Sequence, residues 1–169
     1  MKYVLTKETK EAHGRTLRRI KALKNFNGVS AGDLGGWVET YGNLSHTGGA
    51  WVYDDAEVYG DAEVSGDAWV YGDAKVYGGA AVYGDAKVYG GAEVCGDAKV
   101  SGDADYIVFK NWWTSGRYFT WTRSNNMWKV GCFYGTGAEL VKKAHRDSEK
   151  SEREYARVVK YTEQLLNNK

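Results

Sequence analysis

Three histidines (His13, His46, His145) and two cysteines (Cys95, Cys132) are the residues of this 169-residue chain best suited to proton transfer, metal binding or nucleophilic attack. Their placement supports little of that chemistry. A zinc site needs three or four ligands brought to one point, and these histidines are scattered along the chain. The cysteines have no metal-ligand spacing and read as reduced thiols of a cytosolic protein. His46 alone lies close to the repetitive stretch described next, which makes it the sole candidate general base there. His145 falls in a helical tail, where a solvated or capping role suits it. No nucleophile elbow, P-loop or dinucleotide fingerprint is present. The expectation is no catalytic residue, no metal and no cofactor.

Whatever site exists must be positioned by residues 50–105, where a six-residue unit repeats: Ala-Glu-Val-Tyr-Gly-Asp, Ala-Glu-Val-Ser-Gly-Asp, Ala-Trp-Val-Tyr-Gly-Asp and onward. Ala and Val sit two apart, so an extended strand points both to one side. Gly-Asp supplies a corner, with Gly free to take positive φ and Asp able to bond nearby backbone. Glycine in every unit after the first excludes an all-helical repeat. One unit cannot bury its apolar side alone, so successive units must coil around a common interior. Val-x-Gly-Asp-Ala-x resembles the hexapeptide repeat of left-handed parallel β-helices, in which three units make a triangular coil of eighteen residues. Extending that frame backwards puts Val38 and Leu44 at the Ala position, and Thr40 and His46 at the Val position. His46 would then point inward, in the column of Val64 and Val82, as a core histidine. About four coils are expected, stacked roughly 4.8 Å apart to a height of about 19 Å.

The eighteen-residue period of this resemblance sorts the outward residues into three faces. One carries Trp51, Tyr53, Trp69, Tyr71, Lys87 and Tyr89. The second carries Glu57, Tyr59, Lys75, Tyr77, Glu93 and Cys95, whose alternating charges attract between rungs. The third carries Glu63, Ser65, Ala81, Tyr83, Lys99 and Ser101. An aromatic face of that size on a monomer is a liability, so the first face is expected to meet something. Related β-helices pack side by side as homotrimers, which makes self-association the first reading. A ligand, a partner protein or the chain's own C-terminal helix are the others. Asp67, Asp85 and Asp103 form an unbroken acidic corner column. Turn chemistry with solvated carboxylates is the plain reading of it; a calcium ladder and mimicry of a polyanion are the alternatives.

The charges are segregated. Residues 1–37 sum to +5, residues 38–104 to −9 and residues 105–169 to +5. There is no proline, signal peptide or apolar run long enough to span a bilayer. Residues 1–36 read as an N-terminal cap in which residues 3–5 and 17–23 pair as strands, although Leu17, Ile20 and Leu23 would also suit a helix. Trp37 is expected to cover the open end of the coil. Residues 37–105 form the β-helix. Residues 106–169 form a C-terminal β-hairpin and helical subdomain, with strands at 106–109, 118–122 and 127–130 and a tight hairpin turn at Asn125-Asn126 between the last two. A capping box at Thr136 and Glu139 opens a helix there. After a break near Ser148, a second helix carries Tyr155, Val158, Val159, Thr162, Leu165 and Leu166 on one face. Its basic residues alternate with Glu149, Glu152 and Glu154, a solvated pattern rather than a phosphate-tracking stripe, so direct nucleic-acid binding is not expected.

The Leu34-Gly-Gly-Trp-Val38 and Gly131-Cys-Phe-Tyr-Gly-Thr136 segments, added to the repeat, resemble hexapeptide-repeat proteins of bacteriophages and prophages. That resemblance implies a cytoplasmic protein of an infected host. Many hexapeptide-repeat proteins are acyltransferases with a histidine base in an inter-subunit cleft, and others are carbonic anhydrases with three zinc-bound histidines. Neither set is matched: no histidine lies between residues 50 and 105, and the units there run without an insertion loop. The expected function is a non-enzymatic oligomer engaging a host component, either a small nucleotide or a host protein. An acyltransferase, an acidic DNA mimic and a virion or assembly protein are the alternatives.

Overall fold

The Ala-x-Val spacing does what strand geometry requires. The computed structural model describes residues 1–168 and shows a mainly β protein built on a solenoid of about four turns. Nine two-residue strands make its regular part: β4 (Trp51–Val52), β5 (Glu57–Val58), β6 (Glu63–Val64), β7 (Trp69–Val70), β8 (Lys75–Val76), β9 (Ala81–Val82), β10 (Lys87–Val88), β11 (Glu93–Val94) and β12 (Lys99–Val100). Every third strand pairs in parallel, eighteen residues apart, as in Trp51 with Trp69 and Val64 with Val82. Three sheets result, and the Ala and Val columns fill the space between them with essentially no exposure. Each corner turns on a residue with φ near +65°, as at Gly60 and Gly72. Asp54 stands at the glycine position of its corner and takes the same left-handed conformation, φ 53°.

The first coil is longer than the repeat predicts. Val38 pairs with Val58 and Leu44 bridges to Val64, both twenty residues apart. Leu44 therefore holds the inward column assigned above to His46, and Val38 lies in the valine column rather than the alanine column. His46 and Thr47 are the two extra residues of that corner. His46 is displaced to a half-buried place, stacked on Tyr3 with centroids 4.3 Å apart.

Two antiparallel strands, β1 (Tyr3–Ala12) and β2 (Arg15–Ala22), precede the coil as the sequence suggests. β2 pairs with the outer edge of β3 (Leu34–Val38), whose other edge continues into β5, β8 and β11. Tyr3, Ile20 and Ala22 join the coil's buried cluster, together with Trp51. Trp37 does not cover the open end. It faces outward on β3, packed with Leu17 and Tyr59 and beneath the Arg19 guanidinium at 5.2 Å. Trp51 is the tryptophan at that end, with Tyr3 and Phe26 edge-on to its indole.

Where no earlier rung exists, side chains replace its donors. The Lys2 ammonium donates to the carbonyls of Ala50 (2.7 Å) and Gly48 (3.4 Å). Asn43 Nδ2 donates to those of Gly60 and Ala62, each at 2.9 Å. Burial, with Lys24 nearby, depresses the Lys2 pKa to about 8 despite an opposing Asp67.

At the other end a four-stranded antiparallel sheet lies across the last coil. It comprises β13 (Tyr106–Lys110), β14 (Tyr118–Thr122), β15 (Met127–Val130) and a strand the sequence did not suggest, β16 (Phe133–Gly135). Strand alternation divides its side chains. Tyr106 and Val108 pack against the coil, while Phe119, Trp121 and Trp128 face the helices. Thr120 and Ser124 accept the backbone N–H groups of Glu93 and Lys99, which have no later rung to bond. Helix α1 (Gly137–Asp147) opens on the Thr136/Glu139 capping box. Ser148 then caps α2 (Glu149–Asn167), which buries Tyr155, Val159 and Thr162. No described helix is long and apolar enough to cross a membrane.

Candidate functional site

The sheet formed by β4, β7 and β10 is the aromatic face, and the ends of the molecule turn it into a shallow trough. Its six expected residues do not share one environment. Trp51, 1% exposed, lies beneath the N-terminal segment and is out of reach of a partner. Tyr53, Trp69 and Tyr71 are half-buried, and Lys87 and Tyr89 are exposed. The Tyr53 ring meets Trp69 edge-on at 5.5 Å, and Tyr71 stacks on Tyr89 at 5.1 Å. The Lys87 ammonium sits 5.2 Å above the Trp69 ring. The Trp69 indole N–H is shielded from solvent and meets no acceptor among the described residues.

Three hollows surround this floor. One of about 630 Å3 lies between the Phe26–Asn27 loop, Asp67, Asp85 and the Trp69–Lys87 pair. A second, about 370 Å3, lies on the other side of that pair, against Tyr53, Asp54 and Tyr71. The third, about 480 Å3, lies beyond Tyr89, where Asp103, Tyr106 and Tyr118 close the end. The acidic column is thus split: Asp67 and Asp85 flank the first hollow and Asp103 the third. Asp67 also serves its corner, accepting the Gly49 N–H at 2.8 Å, as Asp54 accepts that of Gly72 at 3.2 Å. No cluster of three or more His, Cys, Asp or Glu side chains is placed to hold a metal among the described residues.

Phe26, Asn27, Tyr106 and Tyr118 were not singled out from sequence, because they reach the trough from outside the repeat. A signal was nevertheless present. Three corners carry Gly-Gly where the unit has Gly-Asp, ending in Gly49, Gly79 and Gly91, and the first and last of them are docking points. A β-carbon at Gly49 would lie 2.6 Å from Asn27 Nδ2, and one at Gly91 would lie 2.5 Å from the Tyr118 ring.

The histidines lie elsewhere. His46 Nδ1 accepts the Lys2 backbone N–H at 3.3 Å, and its pKa is lowered by burial and by the N-terminal ammonium and Lys2. His13 belongs to the sheet of β3, β5, β8 and β11, where its ring stacks on Tyr59, and Tyr59 on Tyr77. It shares Glu57 with Lys10, at 2.7 and 2.5 Å. Burial alone would raise the Glu57 carboxyl, but hydrogen bonds from Lys10 and His13 outweigh it and hold the group below its usual range. Cys95, beside Tyr77, is buried, and burial pushes its thiol up, away from the reactive thiolate. His145 pairs with Glu152 on the helical surface at 2.6 Å.

A stacked aromatic floor, one ammonium and flanking carboxylates can hold a ligand by ring contact and hydrogen bonds. The chain matches no protein-family profile and no curated protein.

Proposed function

We propose that this chain is a left-handed hexapeptide-repeat protein of the kind bacteriophages and prophages encode, acting in the host cytoplasm as a non-enzymatic binding protein. The carrying observation is the trough over β7 and β10, an open aromatic floor walled by segments from both ends of the chain. A coil whose outer faces served only to hold the fold would not need exposed rings beside a flanked groove. Acyl transfer is the less favoured alternative, because His46 faces Tyr3 and Lys2, and none of the three hollows is lined by a histidine. Self-association as a trimer through Trp51 and Trp69 would have to do without Trp51, which is covered; Trp69, Tyr71 and Tyr89 are what a second copy would meet.

Binding assays against nucleotides and neutral oligosaccharides, on wild type and Trp69→Ala, test this reading together with sedimentation. The expected result is a ligand held by the wild type and lost from a folded Trp69→Ala protein. Two results overturn the reading. One is a trimer that Trp69→Glu dissociates, which would make the trough an interface. The other is acyl transfer from acetyl-CoA that disappears in a folded His46→Gln protein.

A further inference from the structure

We infer that the trough takes a neutral saccharide, a reading that rests on the binding function proposed above. Charge selects the ligand class. Asp67 and Asp85 stand on one side of the Trp69–Lys87 pair and Asp54 on the other; Lys87 supplies the one ammonium lining these two hollows, that of Lys2 being buried behind Gly48 on the Asp67 side. A phosphate-bearing ligand would meet three carboxylates for one cation, which disfavours nucleotides. A small cation finds the best ring already occupied, because Lys87 lies over Trp69.

A pyranose ring meets neither objection. Its C–H faces lie against indole and phenol rings, and its rim of hydroxyls both donates and accepts. Asp54 and Asp67 each use one oxygen on a backbone N–H, which leaves acceptor capacity for ligand hydroxyls. Hydrogen bonds from hydroxyls to carboxylates are of the strong, charge-assisted kind. Lys87 supplies the complementary donor. The two hollows adjoin across Trp69, an arrangement that suits successive sugar units. Parallel pairing of β7 with β10 holds Trp69 and Lys87 in fixed register, so little ordering accompanies binding.

Titration with chitohexaose, cellohexaose and maltohexaose, followed by tryptophan fluorescence and calorimetry, tests the inference. At least one should bind saturably, with affinity little changed between about 0.05 and 0.5 M salt. Trp69→Ala should weaken it at least about tenfold, and Asp67→Asn with Asp85→Asn about fivefold or more. Lys87→Gln, at an exposed position, provides a variant whose folding is not at risk and should also weaken binding. Tyr83→Ala, exposed on another face, should leave it unchanged. If ATP binds in a Trp69-dependent manner and none of the three sugars does, the saccharide is wrong and the binding function stands. If neither sugar nor ATP binds through Trp69, both fall.

Discussion

At the residue scale, two tryptophans that look alike in the repeat have different tasks. Trp51 and Trp69 are one rung apart and paired, yet Trp51 fills the end of the coil beneath Tyr3 and Phe26 while Trp69 floors the trough. Trp51→Ala should therefore cost about 3–5 kcal/mol of stability by leaving a buried cavity. Trp69→Ala should cost on the order of 1 kcal/mol, because a half-buried ring has less surface to lose. Thermal or urea unfolding of the two variants measures the contrast, and equal losses would contradict it. Glu57 sets an acid limit. Its folded carboxyl titrates below the ordinary value of 4.5, so its contribution is complete above that value and is lost as pH falls through the folded one. Glu57→Gln should be less stable than wild type by about 2 kcal/mol at pH 7. The difference should shrink steadily below about pH 4.5 as the wild-type carboxyl protonates. A difference that persists undiminished at low pH would show that its hydrogen bonds to Lys10 and His13 do not depend on charge.

At the element scale, the corners decide what may dock beside the coil. Gly79 and Gly91 both replace the aspartate of the unit, for different reasons. A β-carbon at Gly79 meets nothing nearer than the Gly96 carbonyl at 3.5 Å, an ordinary contact. Gly79→Asp should then be neutral within about 0.5 kcal/mol. Gly91→Asp restores the same consensus but drives a side chain into Tyr118, so it should destabilise by about 1–3 kcal/mol. It should also loosen the contact of β14 with the coil, seen as faster amide exchange in that strand. The first rung depends on Asn43 in a related way. Its side-chain amide serves two carbonyls that no backbone reaches, and Asn43→Leu should cost about 2–3 kcal/mol by leaving both unmet.

At the scale of the whole molecule, a coil of about four turns is a stack of short parallel strands with an open edge at either end. Such edges recruit other chains unless something covers them. Here β1 and β2 join the sheet of β3 at one end. Tyr106, Val108, Thr120 and Ser124 meet the last coil at the other. A chain ending after Asp105 would expose the N–H groups of Glu93 and Lys99 beside a valine column. It should assemble into large species by light scattering at concentrations where the full chain does not. A monodisperse truncated coil would show that the C-terminal sheet is dispensable for solubility.

Period, apolar register and corner chemistry are local properties repeated many times, so the sequence by itself determined the parallel coil, its three sheets and its inward Ala and Val columns. The capping box at Thr136 and the apolar face of α2 were legible for the same reason. Only the tertiary structure decided the rest, because it depends on contacts between segments far apart in the chain. Two extra residues in one corner moved His46 out of the core and put Leu44 in its place, a shift that consensus counting cannot detect without the pairing partner. The N-terminal segment removed Trp51 from the aromatic face. Asn27 and Tyr118, reaching Gly49 and Gly91 from opposite ends of the chain, turned an aromatic stripe into a trough.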